Sequence, residues 1–186
     1  MLRKAIKKLM KGSPQTSKDR ATIRKAIKNG IVVKHSEDIT LFEKFRSIYN
    51  ATMDKDNADS YYYFDAKFYE SMAQNLQGAW QMFYAVLDDE IIAMSIILMC
   101  NGRMHYHLSG SVLKYRNLNA TNLILYEAAI YGAKHDYKIL HLGGGVGSGE
   151  DPLYKFKKTF KIPETIRKKR GLFVSPMDLK SAAPKL

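Results

Sequence analysis

A single cysteine, Cys100, excludes any disulfide framework within these 186 residues. That scarcity fits a reducing compartment, the cytoplasm. Cys100 ends an apolar run and reads as a small buried hydrophobe, not as a nucleophile. Long apolar runs are missing too. The longest, IIAMSIILMC at 91–100, is too short to cross a bilayer. The N-terminus is basic but has no apolar core and no small-residue cleavage site, so it does not read as a signal peptide. Internal repeats and long low-complexity segments are absent. Acids are few: eighteen Asp and Glu face thirty Lys and Arg, for a net charge of +12. Such an excess points to a polyanionic partner, whether RNA, an anionic membrane face or a phosphorylated substrate.

What is present suits one domain with an arm. Hydrophobic residues make up 46% of the chain, enough for a sizeable core. Residues 1–16 hold a short basic amphipathic helix, with Leu2, Ile6, Leu9 and Met10 on one face. It either packs on the domain or lies on an anionic membrane surface. The domain is expected to run from 17 to 178, with a tail over 179–186. Ser17 is placed to cap a helix that Asn29-Gly30 closes. IVVKH reads as a strand, and Ser36 with Glu37 and Asp38 as the start of the next helix. Residues 54–64 read as a loop, and Asp65 as the cap of a further helix.

Three strands then meander: WQMFYAVL, IIAMSIILMC and RMHYHLSGS, joined at Asp88-Asp89 and Asn101-Gly102. An Asn-Gly pair between apolar strands is a strong hairpin signal. A long helix is expected from about Asn117 to His135, then a short buried strand, KILHLG. A strand that follows a helix can lie parallel to the strand before that helix. Asp151-Pro152 starts another helix, LYKFKKTF, and RKKRGLFVS supplies a last strand. The fold class is therefore α/β or α+β: a mixed central sheet with an antiparallel meander and one parallel crossover, flanked by helices.

The glycine run in HLGGGVGSGEDPLYKFKKTF (141–160) invites a phosphate-binding reading, which fails on spacing. From Gly144 the P-loop spacing reaches Gly149, but Glu150 stands where lysine is required. From Gly143 or Gly145 the last glycine of a dinucleotide fingerprint falls on Ser148 or Glu150. Glu150 and Asp151 would also repel phosphate. The glycines instead let a ligand or another backbone approach the end of a strand, where α/β sheets bind ligands. Lys157, on the helix behind them, either reaches an anion or developing oxyanion there or is a solvated surface lysine.

Three histidines merit weighing. His105 and His107 are two apart on one strand, and His141 falls on the strand expected beside it. No acidic or cysteine residue lies at ligand spacing, so no metal site is expected. Each either is a buried, hydrogen-bonded histidine or serves as general base toward an amine, with His107 the candidate for that role. The run Tyr61, Tyr62, Tyr63, Phe64 either covers a core edge or stacks on bases or sugars. Arg167, Lys168, Lys169 and Arg170 form a basic cluster suited to phosphate contacts or to a solvated strand end.

The segments HYHLSGS (105–111), LNATNLILYEAA (118–129) and LGGG…D-x-L-x-x-F-K-x-x-F resemble the Fem-type aminoacyltransferases. These enzymes add amino acids to peptidoglycan precursors from aminoacyl-tRNA and belong to the wider GNAT acyltransferase superfamily. RATIRKAIKNGI (20–31) resembles the opening of their second GNAT-like half. The resemblance covers roughly residues 17 to 175. It implies a GNAT-like sheet whose two central parallel strands splay to admit the acyl donor, with direct attack by an amine and no covalent intermediate. It implies that Phe156 and Lys157 are the Phe-Lys pair beside the transfer centre. It further implies that Gly143, Gly144 and Gly145 form the end of the splayed strand and that Tyr154 lies with them on the donor side. The implied partners are an aminoacyl-tRNA donor and the amine of a cell-wall precursor, met in the cytoplasm or at the inner membrane face. No cofactor is implied. The first GNAT-like half is not in this sequence, which leaves three alternatives: part of a two-domain enzyme, a one-domain relative, or a partner for a separate first-half domain. Acetyl-CoA is the alternative donor. The stretch aligned with the family's pyrophosphate-binding loop keeps Arg116 but has Asn119 and Thr121 in place of small residues. A third alternative is a non-catalytic GNAT-like domain that binds RNA or an anionic surface.

Overall fold

The computed structural model describes residues 17–143, Lys157 and residues 173–176. Six strands form one sheet in the order β1-β2-β3-β4-β5-β6: Val32–Ser36, Trp80–Leu87, Glu90–Cys100, Arg103–Ser111, Ile139–Gly143 and Phe173–Pro176. The helices are α1 (Ser17–Lys28), α2 (Leu41–Lys55), α3 (Ala66–Asn75) and α4 (Ala120–Lys134). β1 to β4 pair antiparallel, β4 with β5 parallel, and β5 with β6 parallel. This is the mixed sheet that the meander and the crossover helix predict, with a second parallel pair at the β6 edge.

Alternation along the strands divides the core into two layers. Phe83, Ala85 and Ile97 face α1 and α4, packing on Ile23, Leu123 and Ile124. Trp80, Met82, Met94 and Ile96 face α2 and α3, packing on Phe45 and Tyr69. Each of the large aliphatic and phenylalanine side chains among them contributes about 1.5–3 kcal/mol of transfer free energy. Both hairpin turns carry positive φ at their two central residues, 47° and 64° at Asp88 and Asp89 and 46° and 70° at Asn101 and Gly102. That is the primed-turn geometry that matches strand twist.

Several local expectations change. Ser36 ends β1, and α2 begins only after Thr40, which makes no side-chain cap. Residues 54–64 are not all loop: α2 runs to Lys55, and Ser60–Tyr62 form a 3-10 turn. α4 starts at Ala120, because Leu113–Leu118 wind as 3-10 helix and Asn119 turns left-handed at φ 59°. Cys100 is exposed, not buried, since it is the last residue of β3 before the Asn101-Gly102 turn. Residues 1–16, the Asp151-Pro152 cap, Phe160, the Arg167–Arg170 cluster and the tail lie outside the described residues.

The centre of the sheet has an irregularity that shapes the site. β3 and β4 pair Ile97 with Tyr106 and Ile96 with Leu108, which leaves His107 as an extra residue on β4. Such a bulge shifts the pleat by one. Before it, Met104 and Tyr106 face the α1/α4 layer. After it, Leu108 faces the α2/α3 layer, and Gly110 abuts α2.

A candidate acyl-transfer site at the β4–β5 fork

β4 and β5 are paired only over Arg103–His105 and Ile139–His141. Beyond His105, β4 stays with β3 as far as Ser111, while β5 leans to β6 through Gly143 and Pro176. The two parallel strands therefore part toward their C-terminal ends, and the parting begins next to the bulge. An open fork of this kind leaves backbone groups and side chains free to meet a ligand at the end of the sheet where α/β folds bind.

Lys157 closes the fork. Its residue is 7% exposed, and Ser95 is the other buried polar residue among those described. A methyl group built on Gly143 would stand 3.4 Å from the Lys157 ammonium and 3.7 Å from Cε1 of His105. The ammonium also lies 5.9 Å from the centre of the Tyr106 ring, at the limit of a cation–π contact. The solvated-surface reading of Lys157 does not describe a side chain this buried. Ser95 and Ser109 share a 2.8 Å hydroxyl–hydroxyl hydrogen bond on the same floor, beside the Tyr106 hydroxyl. Burial pushes that phenol's pKa up.

Beside the cation sit the histidines. His105 and His141 meet through their Nδ1 atoms at 2.8 Å. His107 lies on the bulge, half-buried, its ring centre 5.8 Å from that of His105. All three have pKa values below the ordinary histidine range. His105 falls to about 4, first through burial and then through His141, His107 and Lys157. His141 is lowered by burial and then by Lys157, and His107 by burial. Around neutral pH these imidazoles are uncharged bases next to a buried cation. Among the described residues no group of three or more His, Cys, Asp or Glu is arranged to hold a metal ion.

The remaining sequence-derived residues are spread out. Arg116 lies exposed on the 3-10 turn and Asn119 at the head of α4, where its side chain donates to the Asn117 carbonyl and does not cap the helix. They follow β4 on the same edge of the sheet as the fork. Phe156, Tyr154, Gly144 and Gly145 lie outside the described residues. Of the tyrosine run, Phe64 stacks on Phe68 and covers the core, while Tyr61 is 80% exposed and the Tyr63 hydroxyl donates to Asp54. Sequence reasoning put His105 and His141 on neighbouring strands but did not reach their contact, because period-2 alternation gives the face of a residue and not its register.

No curated protein matches the chain. Among solved structures, FemX shares the fold at a TM-score of 0.59 and 13% identity, over 69% of this chain and 48% of its own. The chain thus spans about half the length of FemX. An aminoglycoside acetyltransferase from an uncultured soil metagenomic sample, solved with sisomicin, shares it at 0.56 and 12% identity, over 74% of this chain and 91% of its own. A predicted acetyltransferase from Clostridium acetobutylicum, solved with acetyl-CoA, shares it at 0.50 and 11% identity, over 76% of this chain and 88% of its own. No helix among the described residues is long and apolar enough to cross a membrane. The acetyltransferase (GNAT) domain family matches residues 15–158, most of the chain and all of the sheet as far as β5. With the forked parallel pair, that match makes this chain a member of the GNAT acyltransferase family.

Proposed function

We propose that the chain transfers an aminoacyl group from aminoacyl-tRNA to an amine, with the carbonyl held at the β4–β5 fork. The observation that carries this reading is the buried Lys157 ammonium beside Gly143. It is the lysine to which the Fem-type resemblance gives the Phe-Lys role, and Phe156 takes the other half of that pair. A cation fixed in a desolvated pocket stabilises an oxyanion far more than one in water does, because no solvent must reorganise. The acceptor amine attacks the ester carbonyl, a C–N bond forms, and negative charge collects on the carbonyl oxygen near Lys157. The C–O bond to the ribose then breaks, and the ribose hydroxyl leaves with a proton. The +12 balance favours a polyanionic donor such as tRNA.

The acceptor in this reading is an amine of a cell-wall precursor, reached at the inner membrane face. The chain spans about half of FemX, and a first-half domain, on the same polypeptide or on a separate one, would complete the acceptor site. Gly144, Gly145 and Tyr154 keep the donor-side roles that the resemblance gives them, and His107 is a candidate base. A second reading has acetyl-CoA or another acyl-CoA as donor. What favours it is the head of α4, whose first-turn N–H groups have no side-chain cap and whose neighbour is Arg116. A pyrophosphate suits such a place.

The test is discharge of a mixed pool of labelled aminoacyl-tRNA by the full chain, with and without a lysine-containing peptide acceptor, and with acetyl-CoA in a parallel reaction. Amine-dependent discharge is expected, falling about 10²–10³-fold in Lys157→Met. Transfer from acetyl-CoA with the tRNA ester left intact would move the assignment to the second reading. A Lys157→Met protein with full turnover would remove the lysine from the chemistry.

A further inference from the structure

Two half-buried imidazoles whose Nδ1 atoms lie 2.8 Å apart hold one proton between them. One nitrogen must donate and the other accept, so the two neutral rings have opposite tautomers. Their ring centres are 5.0 Å apart with planes at 26°. That separation is close to the nitrogen gap plus the two ring radii, so the nitrogens face each other along the line of centres. This is an edge-to-edge hydrogen bond and not a face-to-face stack. Both Nε2 atoms are then turned outward, one on each ring.

The surroundings of the two rings differ. Cε1 of His105, which lies between its two nitrogens, is the ring atom nearest the space at Gly143 and Lys157. His105 and His141 also line an open groove of about 670 Å³, together with Leu98, Arg103 and Ile139. The pair sits side by side across the β4–β5 ladder and adjoins both the transfer centre and the open groove. We propose that His105 and His141 form a two-imidazole proton relay that carries the acceptor amine's proton away from the fork and returns one to the leaving group. This rests on the acyl-transfer reading of the site.

The protons balance over a full cycle. As the C–N bond forms, Nε2 of His105 takes the proton from the attacking amine. The Nδ1 proton of His105 passes to Nδ1 of His141, and His141 releases its Nε2 proton to water in the groove. Both rings are again neutral, with their tautomers exchanged. As the C–O bond breaks, the leaving oxygen takes the Nε2 proton of His105. The Nδ1 proton then returns from His141, which takes a proton from groove water. The starting tautomers are restored. The groups facing the pair make it conduct and not store charge: Lys157 and His107 on the fork side disfavour a lasting imidazolium, while the exposed Arg103 lines the groove. Tyr106 and Cys100 are the other titratable groups nearby.

The experiment has two arms on the full chain. Histidine ring nitrogens, labelled with nitrogen-15, are followed by NMR from about pH 8 to about pH 4. Two complementary tautomers are expected, and His141→Phe should release His105 from its fixed tautomer. In the discharge assay His141→Phe should lower kcat about a hundredfold with little change in KM, with part of the rate restored by added imidazole. If the Phe variant does not fold, His141→Gln takes its place. Two histidines that titrate independently, or a folded variant with full kcat and an unchanged pH profile, would overturn the relay alone. A wild-type chain that discharges no donor overturns the acyl-transfer reading, and the relay's role with it, while the spectra still report whether the rings share a proton.

Discussion

Gly110 and Tyr49 meet backbone to backbone. A methyl group on Gly110 would stand 2.8 Å from the Cα of Tyr49 and 2.9 Å from the carbonyl oxygen of Ile48. Neither atom can move without shifting α2. Gly110→Ala is therefore expected to cost about 1–3 kcal/mol, the range for overpacking a tight contact. For a chain of this length that is a fall in Tm of roughly 3–10 °C. Calorimetry of the purified variant measures it, and an unchanged Tm would show that α2 is not seated on β4 as described.

Asp65 accepts a hydrogen bond from the Phe68 N–H at 2.9 Å and so caps α3. Asp65→Ala removes that acceptor and should cost about 1 kcal/mol, whereas Asp65→Ser should cost little. A urea titration separates the two variants by their midpoints. Equal midpoints would mean that the cap bond adds nothing to stability.

The half-buried histidines make the fold sensitive to acid. In the unfolded chain a histidine takes its proton near 6.5, but folded His105 takes it only near 4. Between those values the unfolded chain binds more protons, so acid favours unfolding. His107 and His141 act in the same direction. The stability these groups confer is complete above 6.5 and is lost on descent toward 4. Asp38 and Glu90, held low by hydrogen bonds from Thr40 and Tyr115, add their losses only below their unfolded values of 3.8 and 4.5. Urea midpoints should thus drop between about pH 7 and about pH 5, and less steeply in His105→Gln. Parallel slopes for the two proteins would show that His105 is not the group responsible.

Much of this architecture is legible in the residues themselves. The limits of β2 and β4, the turn at Asn101-Gly102 and the Asp65 cap all follow from local signals: alternation, a turn pair, a capping side chain. What the sequence hides is set at long range. The bulge at His107 has no glycine or proline to mark it, and only the pairing of Ile97 with Tyr106 reveals it. Ser36 has the chemistry of a cap, yet its backbone is spent on pairing with Met82. Cys100 looks buried because its neighbours are apolar, but strand ends face water whatever precedes them. At the site, the glycine run and the lysine were visible as a motif, while the burial of Lys157 and the contact of His105 with His141 required the folded register.

The fork also has a consequence for when activity can arise. β2, β3 and β4 are joined by two-residue turns and can pair as soon as they are made, since short loops close at little entropic cost. His141 reaches His105 only after the intervening thirty-odd residues, including all of α4, have folded back onto the sheet. Lys157 arrives later still along the chain. The meander already holds His105, Tyr106 and His107, but His141 and Lys157 reach them only across these long connections. On the acyl-transfer reading, a partly synthesised or partly folded chain has the meander without His141 and Lys157, so transfer would begin only when β5 and Lys157 are in place.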